Sequence, residues 1–332
     1  MQFDQLKRRE FITFLGGAAA AWPLGAHAQK ALIRIGLLAS GAAASASSMA
    51  LIDSINRGLR DNGLIEGRDY VLEARFAAGN YERFPELARE LAQSGVSVML
   101  ANTIASVRAA QHVTPPVPVV MLSINDPVGA GLVASLARPG GTTTGTASLN
   151  QDLTPKLLEF QREIIPKATA IAALFNPSNP TNPIFLDNLR TDAGAIGMTV
   201  LPVELKSPDA LDAVFSALAA RHPDALQIIS DSGNLDMSDR IAALALAHRL
   251  PSFANSPLFA ELGGLLAYGA SRRQLLIRSA YYVKKILEGA KPGDLPVEQP
   301  TRIELWINPK TAKALGLEIP AQLLARADEV IE

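Results

Sequence analysis

Met121-Leu-Ser-Ile-Asn-Asp-Pro-Val-Gly-Ala-Gly-Leu-Val-Ala-Ser-Leu-Ala-Arg-Pro-Gly-Gly-Thr-Thr-Thr-Gly145 divides one run of alternating strands and helices from a second. Residues 117–122 are apolar and end in Ser123, Asn125 and Asp126. Pro127 suits the first turn of a helix with Asp126 as its cap, and Arg138-Pro-Gly-Gly would end that helix. Polar side chains thus fall where a strand stops and a helix starts. In an open α/β sheet that carboxyl edge is where ligands are held.

Toward the N-terminus, residues 32–38, 70–76 and 96–100 read as short buried strands. Leu51, Ile52, Ile55 and Leu59, then Phe84, Leu87, Ala88 and Leu91, recur at helical spacing between them. These strand ends supply Ser40, Asn102 and Thr103. Toward the C-terminus the scheme repeats, with strands at 169–175, 198–203, 225–229 and 251–254. Their ends supply Asn176, Asp231, Asn255 and Ser256. Tyr268 closes the segment that turns back to the first lobe. A long helix at 272–287, a last strand at 297–307 reaching across both lobes, and a helix capped by Asn308-Pro309 complete the reading.

The expected fold class is α/β: two doubly wound Rossmann-like lobes joined by a multi-segment hinge, with a cleft between them. Residues 29–148 with about 269–298 are assigned to the first lobe, and 149–268 with about 299–332 to the second.

Composition narrows the function. At 332 residues, 48% hydrophobic and 19% charged, the chain can bury two ordinary cores. Its 31 basic and 32 acidic residues give no excess charge for nucleic acid or an anionic membrane. There is no cysteine, which excludes disulfides, thiolate nucleophiles, cysteine metal sites and an acylated cysteine anchor.

Lys7-Arg8-Arg9, the apolar run 11–21 and Ala26-His27-Ala28 have the three parts of an export signal, cleaved after Ala28. Gly16, Gly17, Pro23 and Gly25 interrupt it well short of the ~20 apolar residues of a membrane span. Arg8-Arg9 before Glu10-Phe11-Ile12 is similar to a twin-arginine signal. The mature chain is expected in the periplasm and not embedded in the membrane.

No catalytic constellation is complete. The sequence has no nucleophile elbow, phosphate loop, zinc helix or dinucleotide turn, so no cofactor or metal is expected. His112, His222 and His248 fall near helix ends, where imidazole caps carbonyls. What remains is the set of small polar residues at strand ends, each equally suited to capping the next helix. A ligand carboxylate would sit on amides and hydroxyls at a helix N-terminus. An ammonium group would need a carboxylate, and Asp231 is the best placed, because the next helix is read as starting only near Ser238-Asp239.

Longer phrases carry a resemblance. Residues 35–38, 58–69, 81–88 and 125–141, with Leu295-Pro-Val-Glu-Gln-Pro300 and Ala325-Arg-Ala-Asp-Glu-Val-Ile-Glu332, resemble the ABC transporter substrate-binding family that includes tryptophan- and phenylalanine-binding members. The resemblance runs through nearly all of the mature chain. It implies a type I periplasmic-binding fold, a small polar ligand such as an amino acid held between the lobes, and delivery to an inner-membrane ABC permease. By position, Ser40, Asn102, Thr103, Asn125 and Asp126 would form one wall, facing Asn176, Asp231, Asn255 and Ser256. The Ala/Ser run at 40–48 and Ala101-Asn102-Thr103 depart from the small Gly/Ser-rich turns of carboxylate-binding relatives. A monomer is expected. The alternatives are an exported α/β enzyme using Asp126 or Asp231 as acid or base, and a ligand-sensing module that docks on a receptor.

Overall fold

The computed structural model describes residues 31–150, 152–179 and 181–332; the export signal read at 1–28 lies outside them. The first lobe is built from β1 (Ile33–Ala39), α1 (Ala46–Asp61), β2 (Tyr70–Phe76), α2 (Phe84–Gln93), β3 (Val98–Ala101), α3 (Ile104–Gln111), β4 (Val119–Asn125) and β5 (Thr143–Ser148). Its five strands run in the order β2-β1-β3-β4-β5, all parallel. Parallel strands covered on both faces must be apolar nearly throughout, which is why β1, β3 and β4 stand out in the sequence.

The second lobe begins with α4 (Thr154–Ile164), β6 (Ala170–Phe175), α5 (Asn182–Ala195), β7 (Thr199–Glu204), α6 (Leu211–Ala219), β8 (Ala225–Ile228), α7 (Ser232–Asp236), α8 (Ser238–Ala247), β9 (Ser252–Ala254), α9 (Pro257–Glu261) and β10 (Leu266–Gly269). After α10 (Arg272–Leu287) come β11 (Glu304–Ile307), α11 (Pro309–Leu315), α12 (Ala321–Leu324) and β12 (Glu329–Val330). The second sheet has the order β12-β11-β10-β9-β8-β6-β7, with β11 antiparallel to β10. Helix α10 falls between β10 and β11 of the second sheet in sequence yet belongs to the first lobe. Its Leu276, Ala280, Tyr282 and Val283 pack with Leu37, Ile55 and Leu122 in one buried cluster. Gly58 allows α1 to lie close against it, since a β-carbon there would stand 2.4 Å from the Ile277 carbonyl oxygen.

The chain crosses between lobes after β5, after β10 and before β11. At the third crossing the Ala147 amide donates to the Glu298 carbonyl at 2.8 Å and the Glu298 amide to the Gly145 carbonyl at 3.0 Å. The segment thus lies along β5 before it enters the second sheet. Gly145 has φ +130, and a β-carbon there would be 2.4 Å from the Met121 carbonyl oxygen, so only glycine fits beside β4.

Three readings need correction. Residues after Pro127 form turns rather than a helix. Asp126 adopts φ +40, its carboxylate takes the Gly129 amide at 2.9 Å, and Gly131 at φ +69 turns the chain away. The Ala130 and Leu132 carbonyls bond to Arg108 and Gln111 of α3 instead. The strand read at 297–307 is two short pieces, an isolated bridge at Glu298 and β11, with Pro300 between. The segment after Asp231 is helical, as α7, and the Asp231 side chain caps it by accepting from the Gly233 amide at 2.8 Å.

Candidate ligand-binding site

The strand ends of both sheets and the start of α10 surround one cleft of about 1070 Å³, including its opening to solvent. Asn102, Thr103, Ser123 and Asn125 line it from the first lobe, and Asp231, Asn255 and Ser256 from the second.

The first-lobe wall is set by local chemistry. Thr103 caps α3 in a reciprocal box with Ser106, which fixes the turn that carries Asn102. The Ser40 amide donates to Asn102 Oδ1 and Asn102 Nδ2 to Ser40 Oγ, each at 3.2 Å. Ser40 is buried and supports Asn102 rather than facing the cleft. In β4 the pairing register shifts between Met121 and Ile124, and Ser123 takes φ +57. This bulge lets Met121 and Ile124 enter the same core cluster while Ser123 faces the cleft. Asp126, exposed and engaged in its own turn, is not part of the lining.

The second-lobe wall centres on Asp231, which is 7% exposed. Asn176 Nδ2 donates to its Oδ1 at 3.3 Å, and Asn179 Nδ2 to its Oδ2 at 2.7 Å. Across the cleft, the Tyr81 hydroxyl of the first lobe donates to Oδ2 at 3.1 Å. Burial, followed by the Asp231 charge and this hydrogen bond, pushes the Tyr81 phenol far above its ordinary range, with a Ser40 hydrogen bond partly opposing. A second link joins Asn150 Nδ2 to Ser230 Oγ at 3.1 Å. Asn176 closes its own turn by accepting the Ser178 amide and does not line the cleft. Tyr268 packs edge-on against Phe160 at 5.1 Å, outside the lining.

Two charged residues were not singled out by the sequence. Arg272, the first residue of α10, lines the cleft. Burial pulls its guanidinium below the usual value, partly offset by Asp236, but arginine stays charged under these conditions. Asp236, on α7, lies against Gly41 and the Ser45 cap of α1 in the first lobe. Burial raises its carboxyl to about 6, against the opposing effects of Ser45 and Arg272. Its Oδ1 is buried with no hydrogen-bond partner among the described residues. Asn179 and Phe185 were also missed, because a loop asparagine and a helical phenylalanine read as turn and core.

Two α/β lobes around a polar cleft at their strand ends form a type I periplasmic-binding fold. The chain belongs to the ABC transporter substrate binding protein family, whose model matches residues 43–331. It is 26% identical over 263 residues to the tyrosine-binding protein of Clostridioides difficile strain R20291, covering 79% of this chain and 75% of the relative. A conserved domain protein of Vibrio cholerae superposes with a TM-score of 0.82 at 24% identity, over 90% of this chain and 99% of the other. The ABC domain from Streptococcus pneumonia in complex with L-Trp gives 0.80 at 23% identity, over 90% and 100%. The family is one of substrate-binding proteins rather than enzymes. No helix among the described residues is long and apolar enough to cross a membrane.

Proposed function

We propose that this protein is the exported solute receptor of an ABC importer, which holds a small organic solute between its lobes and presents it to an inner-membrane permease. The observation that carries this reading is the convergence of both strand-end walls on one cleft, with Tyr81 and Asp231 bonded across it. Relatives named for tyrosine binding or bound to L-Trp support an amino acid or related compound as the solute class. Asn102, Thr103, Ser123, Asn125, Asn255 and Ser256 are the proposed solute contacts, while Ser40, Asn176 and Asp231 hold the walls in place. The signal at 1–28 would be removed after Ala28 and leave a periplasmic monomer.

The test is native mass spectrometry of protein purified from the periplasm, with the intact mass read in the same experiment. A stoichiometric small molecule, returned unchanged after incubation, is expected on a chain that starts at Gln29. Product accumulating over many turnovers would replace the receptor with an enzyme. A chain still beginning at Met1 would overturn export.

A further inference from the structure

We propose that the cleft takes a singly charged organic acid without an ammonium group: an apolar body with one carboxylate, seated on Arg272. This rests on the reading of the cleft as the solute site and narrows its ligand.

The charge inventory of the cleft is short. Among the described residues of the lining, Asp231 is the acidic one and Arg272 the basic one. A carboxylate offers about four acceptor sites. Those of Asp231 are taken by Asn176 and the Gly233 amide on Oδ1, and by Tyr81 and Asn179 on Oδ2. An incoming ammonium would have to displace one of these donors, three of which hold the walls or α7 in place.

Arg272 is the opposite case. Its planar fork carries five N–H donors, and it has no hydrogen bond or ion pair among the described residues. Asp236 acts on it only through its field. Arg272 also stands at the N-terminus of the 16-residue α10, where the helix dipole is positive and a cation is unfavourable. The helix gains nothing from arginine there. Both positive fields fall on the same cleft, and an anion there would relieve both.

The rest of the lining sets the body of the ligand. Ile104, Ile124, Phe185, Ile229, Leu235 and Phe259 border the cleft. Set among the polar side chains, they give a branched or aromatic skeleton apolar contacts that an inorganic anion could not use. One guanidinium matches one negative charge, and a planar fork matches the two oxygens of a carboxylate. Ser256 makes no side-chain capping bond to α9, so its hydroxyl is available to a second oxygen on the acid.

The test is titration calorimetry on the mature protein with matched pairs: phenylpyruvate and phenylacetate against L-phenylalanine, and 4-methyl-2-oxopentanoate against L-leucine. At least one acid is expected to bind, with its amino acid counterpart weaker by about tenfold or more, as for a desolvated ammonium lacking a partner. Arg272→Gln should weaken the acid by roughly 10- to 100-fold, the worth of a charge-assisted hydrogen bond, and Arg272→Lys should recover part of it. Should Arg272→Gln fail to fold by circular dichroism, the matched pairs on the native sequence decide alone.

An amino acid that binds as tightly as its acid overturns the inference and leaves the receptor reading intact. So does a neutral or cationic solute on the purified protein when none of the acids binds. If no solute of any class binds or copurifies, the receptor reading itself fails.

Discussion

Replacing Tyr81 by phenylalanine isolates one atom whose effect depends on the lobes being together. The Tyr81 hydroxyl belongs to the first lobe and the Asp231 carboxylate to the second, 3.1 Å apart. With the lobes separated, both groups would be hydrated, so the loss falls on the closed form alone. A hydrogen bond to a charged group is worth about 1.5–3 kcal/mol. Asp231 keeps three other donors, so its charge is not orphaned and the lower end applies. That shifts the closed-to-open ratio by on the order of tenfold, and apparent affinity falls in proportion wherever closure limits binding. The ring should keep its place, since its contact with Phe84, with centroids 5.6 Å apart, does not involve the hydroxyl. Calorimetry with the copurified solute should show the weaker affinity, and small-angle scattering without solute a larger radius. Unchanged affinity together with an unchanged radius would refute the idea that this bond latches the lobes.

Two further outcomes concern acidic residues of the second lobe. Asp231→Ala should destabilise the solute-free protein by about 3 kcal/mol in urea unfolding, because the buried amide of Asn179 and the half-buried amide of Asn176 lose their acceptor and α7 its cap. A loss within about 0.5 kcal/mol, as at an ordinary surface site, would contradict that structural role. Asp236, raised to about 6 from 3.8 and facing Arg272, Asp231 and Ser45, binds a proton more tightly when folded. Its contribution is therefore full below about pH 4 and lost as pH rises through about 6. Asp236→Asn should match the parent near pH 4, exceed it by about 1–2 kcal/mol at pH 8, and remove the slope between; equal melting curves at both pH values would sink this.

The parts of the fold legible in sequence were those whose stability is local or whose burial is two-sided. The sequence pattern marks β2 at its observed bounds, Tyr70–Phe76, and the start of α11 at Asn308, whose side chain accepts the Thr311 amide. The failures have physical causes. Asp126-Pro127 looks like a helix start, yet glycines at 129 and 131 disfavour continuation by about 1 kcal/mol each, and α3 side chains take the carbonyls instead. Helix α7 spans five residues with Gly233 and Asn234 inside, so it has no apolar period to read. Of the strand-end asparagines and serines picked out by position, Asn102, Ser123, Asn125, Asn255 and Ser256 line the cleft, while Ser40 and Asn176 do not. The partners were not legible, since Tyr81 and Asp231 stand 150 residues apart. Arg272 was hidden because a charge at a helix start reads as a solvated surface residue.

The placement of α10 constrains how the chain can assemble. The first sheet is complete by residue 148, but the helix that covers one of its faces does not follow until 272–287. Until then Leu37, Ile55 and Leu122 lack the partners Leu276, Ala280 and Val283 that bury them in the finished protein. A ribosome-bound or partly threaded chain therefore presents an apolar sheet face covered only by α1 until the second-sheet strands up to β10 have emerged. Such long-range closure is slow and leaves intermediates prone to association. A fragment ending near residue 150 should behave as an aggregating chain rather than a small domain, and chaperones should act on this protein early, before its final third has appeared.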